Sequence, residues 1–167
     1  MTQSTITIKV ADVIGETTVG SSSAERILGN IGKDKLSGGA GDDTLGGGAD
    51  SDILTGGLGN DVFLFSTKPA KGKPDQIKDY NVKADSIWLG KSAFTKLGKQ
   101  GTELSPAKLN KKFFAFDKAK DKDDYIVYVK GKGKIYYDMD GSGSKAAVEI
   151  ATLTNKPKLS AAEFFIV

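Results

Sequence analysis

The chain has 167 residues, enough for one domain or two small ones, and contains neither cysteine nor histidine. That excludes disulfides, thiolate and imidazole metal sites, thiol nucleophiles and histidine acid–base catalysis, so any bound metal must be held by oxygen, as calcium and magnesium are. The net charge of +3 is unevenly spread: residues 1–67 hold four basic and nine acidic side chains, residues 68–167 twenty and twelve. Every basic residue except Arg26 is lysine, which argues against nucleic-acid recognition.

Met1–Val10 lacks the charged and apolar regions of a Sec signal, and no run of 18 apolar residues occurs. Within residues 1–19 the alternation Thr5-Ile6-Thr7-Ile8-Lys9-Val10 predicts a strand that pairs with, or caps, the glycine-rich segment after it. Residues 20–28 read as a worn repeat that keeps Gly20, Glu25 and Ile27 in register. Residues 29–64, read in nines, are GNIGKDKLS, GGAGDDTLG, GGADSDILT and GGLGNDVFL. Position one is always glycine. Position six is Asp34, Asp43, Asp52 and Asp61, and position eight is Leu36, Leu45, Leu54 and Phe63.

The spacing has a physical logic. Glycines at positions one, two and four permit a tight turn that exposes carbonyl oxygens. Positions seven to nine form a short strand whose eighth side chain points inward. Two nonapeptides make one coil of 18 residues, which brings Asp34 near Asp52 and Asp43 near Asp61. Paired carboxylates with several carbonyls form a flexible oxygen cage suited to calcium rather than magnesium. A glycine-rich linker does not explain the apolar eighth position. An ice-binding face needs threonine and asparagine ladders, and only Thr44 and Thr55 are present. Four apolar side chains are too few to order three dozen glycine-rich residues, so the metal-free repeat is predicted to be unfolded.

Beyond the repeats, residues 68–74 read as a loop, and residues 75–80 and 85–89 as strands. Residues 104–112, with Pro106 early, are the best helix candidate. Residues 124–129 and 134–137 predict a hairpin about 130–133. Asp75 and Asp79 read either as ligands of a further calcium or as exposed strand positions. The run Asp138-Met139-Asp140-Gly141-Ser142-Gly143, with Glu149, has EF-hand spacing, but Lys145 and strand-like flanks favour a solvated turn. The lysines of residues 68–134 read as a solubilising surface or as a contact for acidic polysaccharide. No nucleophile motif occurs, and acids such as Asp117 and Asp124 have plainer roles in turns, so the chain is expected not to be an enzyme.

The nonapeptide G-G-x-G-x-D-x-U-x is the pattern of the RTX (hemolysin-type) calcium-binding family, which the sequence resembles from about Gly29 onward. Residues 66–167 also resemble the region that follows the repeats in serralysin-type RTX proteins. The shared motifs are D-x-I-x-D-aromatic at 75–80, D-x-I-x-L at 85–89 and YYDxDGxG at 136–143. The resemblance implies an all-β chain: a parallel β-roll over residues 20–65, then a mostly antiparallel β region over 66–167 with at most a short helix. It implies one calcium held by Asn30, Gly32, Asp34, Gly47, Ala49 and Asp52, and a second held by Gly39, Gly41, Asp43, Gly56, Leu58 and Asp61. Asn30 and Asp50 depart from the glycine pattern.

The expected function is a secreted calcium-binding module that folds on external calcium. The alternatives are a lysine-rich adhesin for acidic cell-surface polysaccharide, or the non-catalytic C-terminal part of a larger secreted hydrolase. The family's protease motif is excluded by the lack of histidine, and its Asp-Pro self-cleavage by prolines that follow only lysine or serine. The tail Glu163-Phe164-Phe165-Ile166-Val167 resembles a type I secretion signal, which makes that apparatus an expected partner and the expected location extracellular.

Overall fold

The computed structural model describes residues 6–9 and 15–167. Thr5 and Val10, the ends of the predicted first strand, lie outside the described residues; Ile6–Lys9 between them is β1. Six strands follow through the repeats: β2 (Thr17–Val19), β3 (Glu25–Leu28), β4 (Lys35–Ala40), β5 (Thr44–Gly46), β6 (Ile53–Leu58) and β7 (Val62–Phe65). The rest supplies β8 (Asp75–Ile77), β9 (Ser86–Leu89), β10 (Ala107–Lys108), β11 (Phe114–Phe116), β12 (Ile126–Val129), β13 (Lys134–Tyr137), β14 (Val148–Leu153) and β15 (Phe164–Ile166).

Among the described residues these strands form two sheets, ordered β1-β3-β5-β7-β9-β15-β10 and β11-β12-β13-β14-β8-β6-β4-β2. Odd and even repeats alternate between the sheets, which is the winding of a β-roll. The 18-residue register pairs Ile27 with Leu45 and Leu45 with Phe63 in one sheet, and Leu36 with Leu54 in the other. These five side chains are at most 1% exposed, so each coil buries its eighth position against the next.

The parallel ladders do not stop with the repeats. Ile77 pairs with Leu54, and Ile87 with Phe63, so β8 and β9 add one further coil. Onto these, β14 and β15 add in parallel, through Leu153 with Ile77 and Phe164 with Ile87. Among the described residues, antiparallel pairing joins β12–β13–β14 and β10–β15, besides an isolated Thr102–Ser105 bridge, and β11 joins β12 in parallel. The region after the repeats is therefore mixed, and much of its parallel pairing prolongs the roll. A single apolar cluster runs from Ile27 to Ile166, joining the roll and the C-terminal strands in one core.

The helix candidate over residues 104–112 becomes the two-residue β10 and a 3-10 turn at Lys111–Phe113. Leu104 is 99% exposed and Leu109 is the one buried side chain of the segment, so it has no apolar stripe on which a helix could pack. The Asn110 side chain accepts the Lys112 N–H at 3.1 Å, a local bond that starts the short turn. The hairpin about 130–133 forms as expected, with Gly133 at φ 69°.

Candidate metal centre

Positions four to six form every turn, joined by positions one to three after β3 and β5, whereas after the longer β4 and β6 positions one to three still belong to the strand. Gly39 and Gly57, at position two, adopt φ of 104° and 101°, where a side chain is disfavoured. Asn30 and Asp50 stand at glycine positions and still take φ of 67° and 76°, so the turn geometry survives both departures.

The position-six carboxylates form two ladders, one along each edge of the roll. In the first, the Asp34 N–H donates to Asp52 Oδ1 (2.9 Å) and the Asp52 N–H to Asp75 Oδ1 (3.0 Å), while the Glu16 N–H reaches Asp34 Oδ1 (2.8 Å). In the second, the Glu25 N–H donates to Asp43 Oδ1 (2.8 Å), Asp43 N–H to Asp61 Oδ1 (3.0 Å) and Asp61 N–H to Asp85 Oδ1 (3.1 Å). The pairs Asp34 with Asp52 and Asp43 with Asp61 are thus brought together as their 18-residue spacing predicts.

One oxygen of each carboxylate is used in this way and the other is not. Among the described residues, Oδ2 of Asp34, Asp43, Asp52 and Asp61 is buried and has no hydrogen-bond partner. Buried polar atoms are normally satisfied, and four equivalent orphans at one repeat position require a common cause. Carbonyls converge on the same space. A Cβ built on Gly29 would lie 2.5 Å from Asp34 Oδ2 and 2.5 Å from the Gly47 carbonyl. At Gly38 the distances are 2.3 Å to Asp43 Oδ2 and 2.7 Å to the Gly56 carbonyl. Glycine at position one leaves a gap lined by two oxygens of adjacent turns.

Four more of the carbonyls assigned to the sites face an adjacent turn. The Asn30 carbonyl accepts the Ala49 N–H (2.7 Å), and the Leu58 carbonyl accepts the Gly41 N–H (2.7 Å). The Gly39 and Gly41 carbonyls face Gly57 and Gly59 closely enough that a Cβ on either would sit 2.0 Å away. Among the described residues no group of three or more Asp, Glu, His or Cys could hold a metal by itself. A cation here must be completed by carbonyls. The donors are all hard oxygens on a flexible backbone, which fits calcium.

Electrostatics agree. Burial pushes Asp52 and Asp61 up to about 6, with the Asp34 charge adding to the first and those of Asp85 and Asp43 to the second. Burial also raises Asp43, with Glu25 beside it. Asp75 is pushed up to about 8 by burial and by Asp52. Desolvated carboxylates stacked in this way favour a proton or a cation between them.

Asp75 and Asp79, left between ligand and exposed strand position by the sequence, join the ladders together with Asp85, which the sequence reading gave no such role. Asp75 and Asp85 occupy the position-six rung of the terminal coil; they are 6% and 8% exposed, so Asp75 is not an exposed strand residue. The D-x-I triplets at 75–77 and 85–87 repeat the D-x-apolar half of the nonapeptide and could have revealed them. Asp79 accepts the Gly56 N–H (2.9 Å) and the Gly57 N–H (2.8 Å), fixing the last turn of the second ladder.

The EF-hand spacing at 138–149 is not realised. Glu149 bonds Lys134 Nζ (2.8 Å), Thr152 Oγ1 (2.8 Å) and the Tyr136 hydroxyl (3.4 Å) on the sheet face. Asp140 Oδ2 accepts the Lys145 N–H (3.1 Å), and Asp138 Oδ1 the Asp140 N–H (3.3 Å), as in a self-closed turn; Asp140 Oδ1 is buried and unpartnered. Asp124 Oδ2 accepts the Lys120 N–H (2.7 Å) and the Asp121 N–H (3.2 Å), again a turn.

Comparison with known proteins matches the family profile of the RTX calcium-binding nonapeptide repeat (4 copies) to residues 19–54 and 28–63. No curated protein matches the sequence. Among solved structures, the AlgE6R3 subunit of the Azotobacter vinelandii mannuronan C5-epimerase is similar, with TM-score 0.57 and 25% identity over 93% of this chain and 80% of that one. The AlgE6R2 subunit of the same epimerase gives TM-score 0.54 and 24% identity, over 96% and 91%.

Proposed function

We infer that this chain, whose residues 19–63 belong to the RTX calcium-binding nonapeptide repeat family, is a secreted, non-catalytic module that folds when it meets external calcium. The observation that carries the reading is the set of four buried, unpartnered Oδ2 atoms, of which those of Asp34 and Asp43 share a gap with a carbonyl of the next turn. Asn30, Gly32, Asp34, Gly47, Ala49 and Asp52 would hold one calcium, and Gly39, Gly41, Asp43, Gly56, Leu58 and Asp61 a second. The ion supplies charge that offsets the desolvation of the stacked carboxylates and ties adjacent turns together.

Titration calorimetry tests the assignment. Asp43→Asn and Asp61→Asn are each expected to weaken calcium binding at least about tenfold, a loss of ~1.4 kcal/mol. Asp138→Asn should change it by less than about twofold. The opposite order would place the principal site in the 138–149 loop.

Calcium-dependent folding also supports export by a type I apparatus. Phe164 and Ile166 of β15 are fully buried, and β15 pairs with β9, which pairs with β7 of the last repeat. The tail is accessible to an exporter only before the roll forms, as low cytosolic calcium would ensure. Deleting residues 163–167 in a host with a matching exporter is expected to abolish appearance in the medium while the cellular pool stays soluble. Wild-type export of the truncated chain would remove the tail from this role.

A further inference from the structure

Position four of the repeat is glycine at Gly32, Gly41 and Gly59 but aspartate at Asp50. Asp50 takes φ 76°, a conformation that costs any residue with a Cβ, so something must offset it. In the second ladder the position-four N–H of Gly41 donates to the Leu58 carbonyl of the next turn. In the first ladder the Lys73 ammonium, and after it the nearby Gly32 N–H, hold the Asp50 carboxyl below the usual carboxylate range. Asp50 Oδ1 is also ion-paired with Lys73 Nζ, from the loop that leads into Asp75. The carboxylate of Asp50 therefore lies between the Gly32 turn and the loop that carries Lys73.

We propose that Asp50 and Lys73 form a latch that, as the roll forms on calcium, ties turn 47–52 to the loop 70–75 and stabilises the calcium-bound first ladder, so that the site between 29–34 and 47–52 fills at lower calcium than the site between 38–43 and 56–61. The inference rests on the calcium reading above. Its charge pair is partly exposed, at 50% for Lys73 and 26% for Asp50, so the latch weakens with salt. Asp50 and Lys73 act as positioning residues: neither is assigned as a calcium ligand.

Calorimetric calcium titration at low salt separates the possibilities, with Asp43→Asn used to mark which binding class belongs to the second ladder. A backbone-only account expects Asp50→Gly to tighten binding, because it restores the repeat and removes the positive-φ cost. The latch expects Asp50→Gly and Lys73→Met to weaken the tighter class about threefold or more and to leave the weaker class unchanged. Lys73→Arg, which keeps the charge, should bind as wild type does, and about 1 M salt should bring the wild type down to the Lys73→Met value. Unchanged or tighter binding in Asp50→Gly, or wild-type binding in Lys73→Met, overturns the latch while leaving calcium binding intact. Absence of calcium binding by the wild type overturns both.

Discussion

Gly38→Ala is expected to raise the calcium concentration needed for folding at least about tenfold, or ~1.4 kcal/mol. The added Cβ would lie 2.3 Å from Asp43 Oδ2 and 2.7 Å from the Gly56 carbonyl, both closer than real Cβ contacts allow. Neither oxygen can step aside freely. The Asp43 carboxylate is anchored through Oδ1 by the Glu25 N–H, and the Gly56 oxygen belongs to a backbone whose N–H is held by Asp79. The methyl group would thus occupy the gap assigned to the ion. Gly38 is not in the left-handed region, so backbone strain does not confound the result. Gly131→Ala is the control: nothing lies within 4 Å of its Cβ, and the change should be neutral within about 0.5 kcal/mol. A calcium midpoint for Gly38→Ala equal to that of Gly131→Ala would show that the gap holds no ion.

Phe63→Ala tests the shared core. Phe63 is fully buried, stacked in register between Leu45 and Ile87, with its ring 5.8 Å from that of Tyr80. Emptying such a site costs about 3–5 kcal/mol, a large part of the stability of an ordinary domain. Because one apolar cluster joins the repeats to β14 and β15, urea unfolding in saturating calcium should remain a single transition, with its midpoint lowered by about 1 M or more. Two transitions, with only one displaced, would mean that the roll and the C-terminal strands unfold separately.

The roll itself was legible because each nonapeptide carries its own turn, strand and inward residue, and an 18-residue coil follows from two of them. Legibility ended where spacing changed. The step from Asp52 to Asp75 is 23 residues and from Asp61 to Asp85 is 24, since loops replace the glycine turns, so the last rung of each ladder hides behind insertions. The parallel seating of β14 and β15 was hidden for a different reason: pairings such as Phe164 with Ile87 join segments far apart in the chain and leave no local signature. The same holds for the bidentate pairing of Arg26 with Glu103, both contacts at 3.0 Å, which ties β3 to the loop before β10. Asp50 read as a blemish in the pattern, and only its placement beside Gly32 and Lys73 gives it a role.

The central claim is that calcium, rather than the apolar stack alone, holds the repeat folded. Far-ultraviolet circular dichroism with hydrodynamic radius, measured on one sample in EDTA, in millimolar magnesium and in millimolar calcium, tests it most directly. The account predicts an expanded chain with little β signal in EDTA, little change with magnesium, and a compact β-rich state with calcium. A spectrum and radius that are the same in EDTA and in calcium would contradict it.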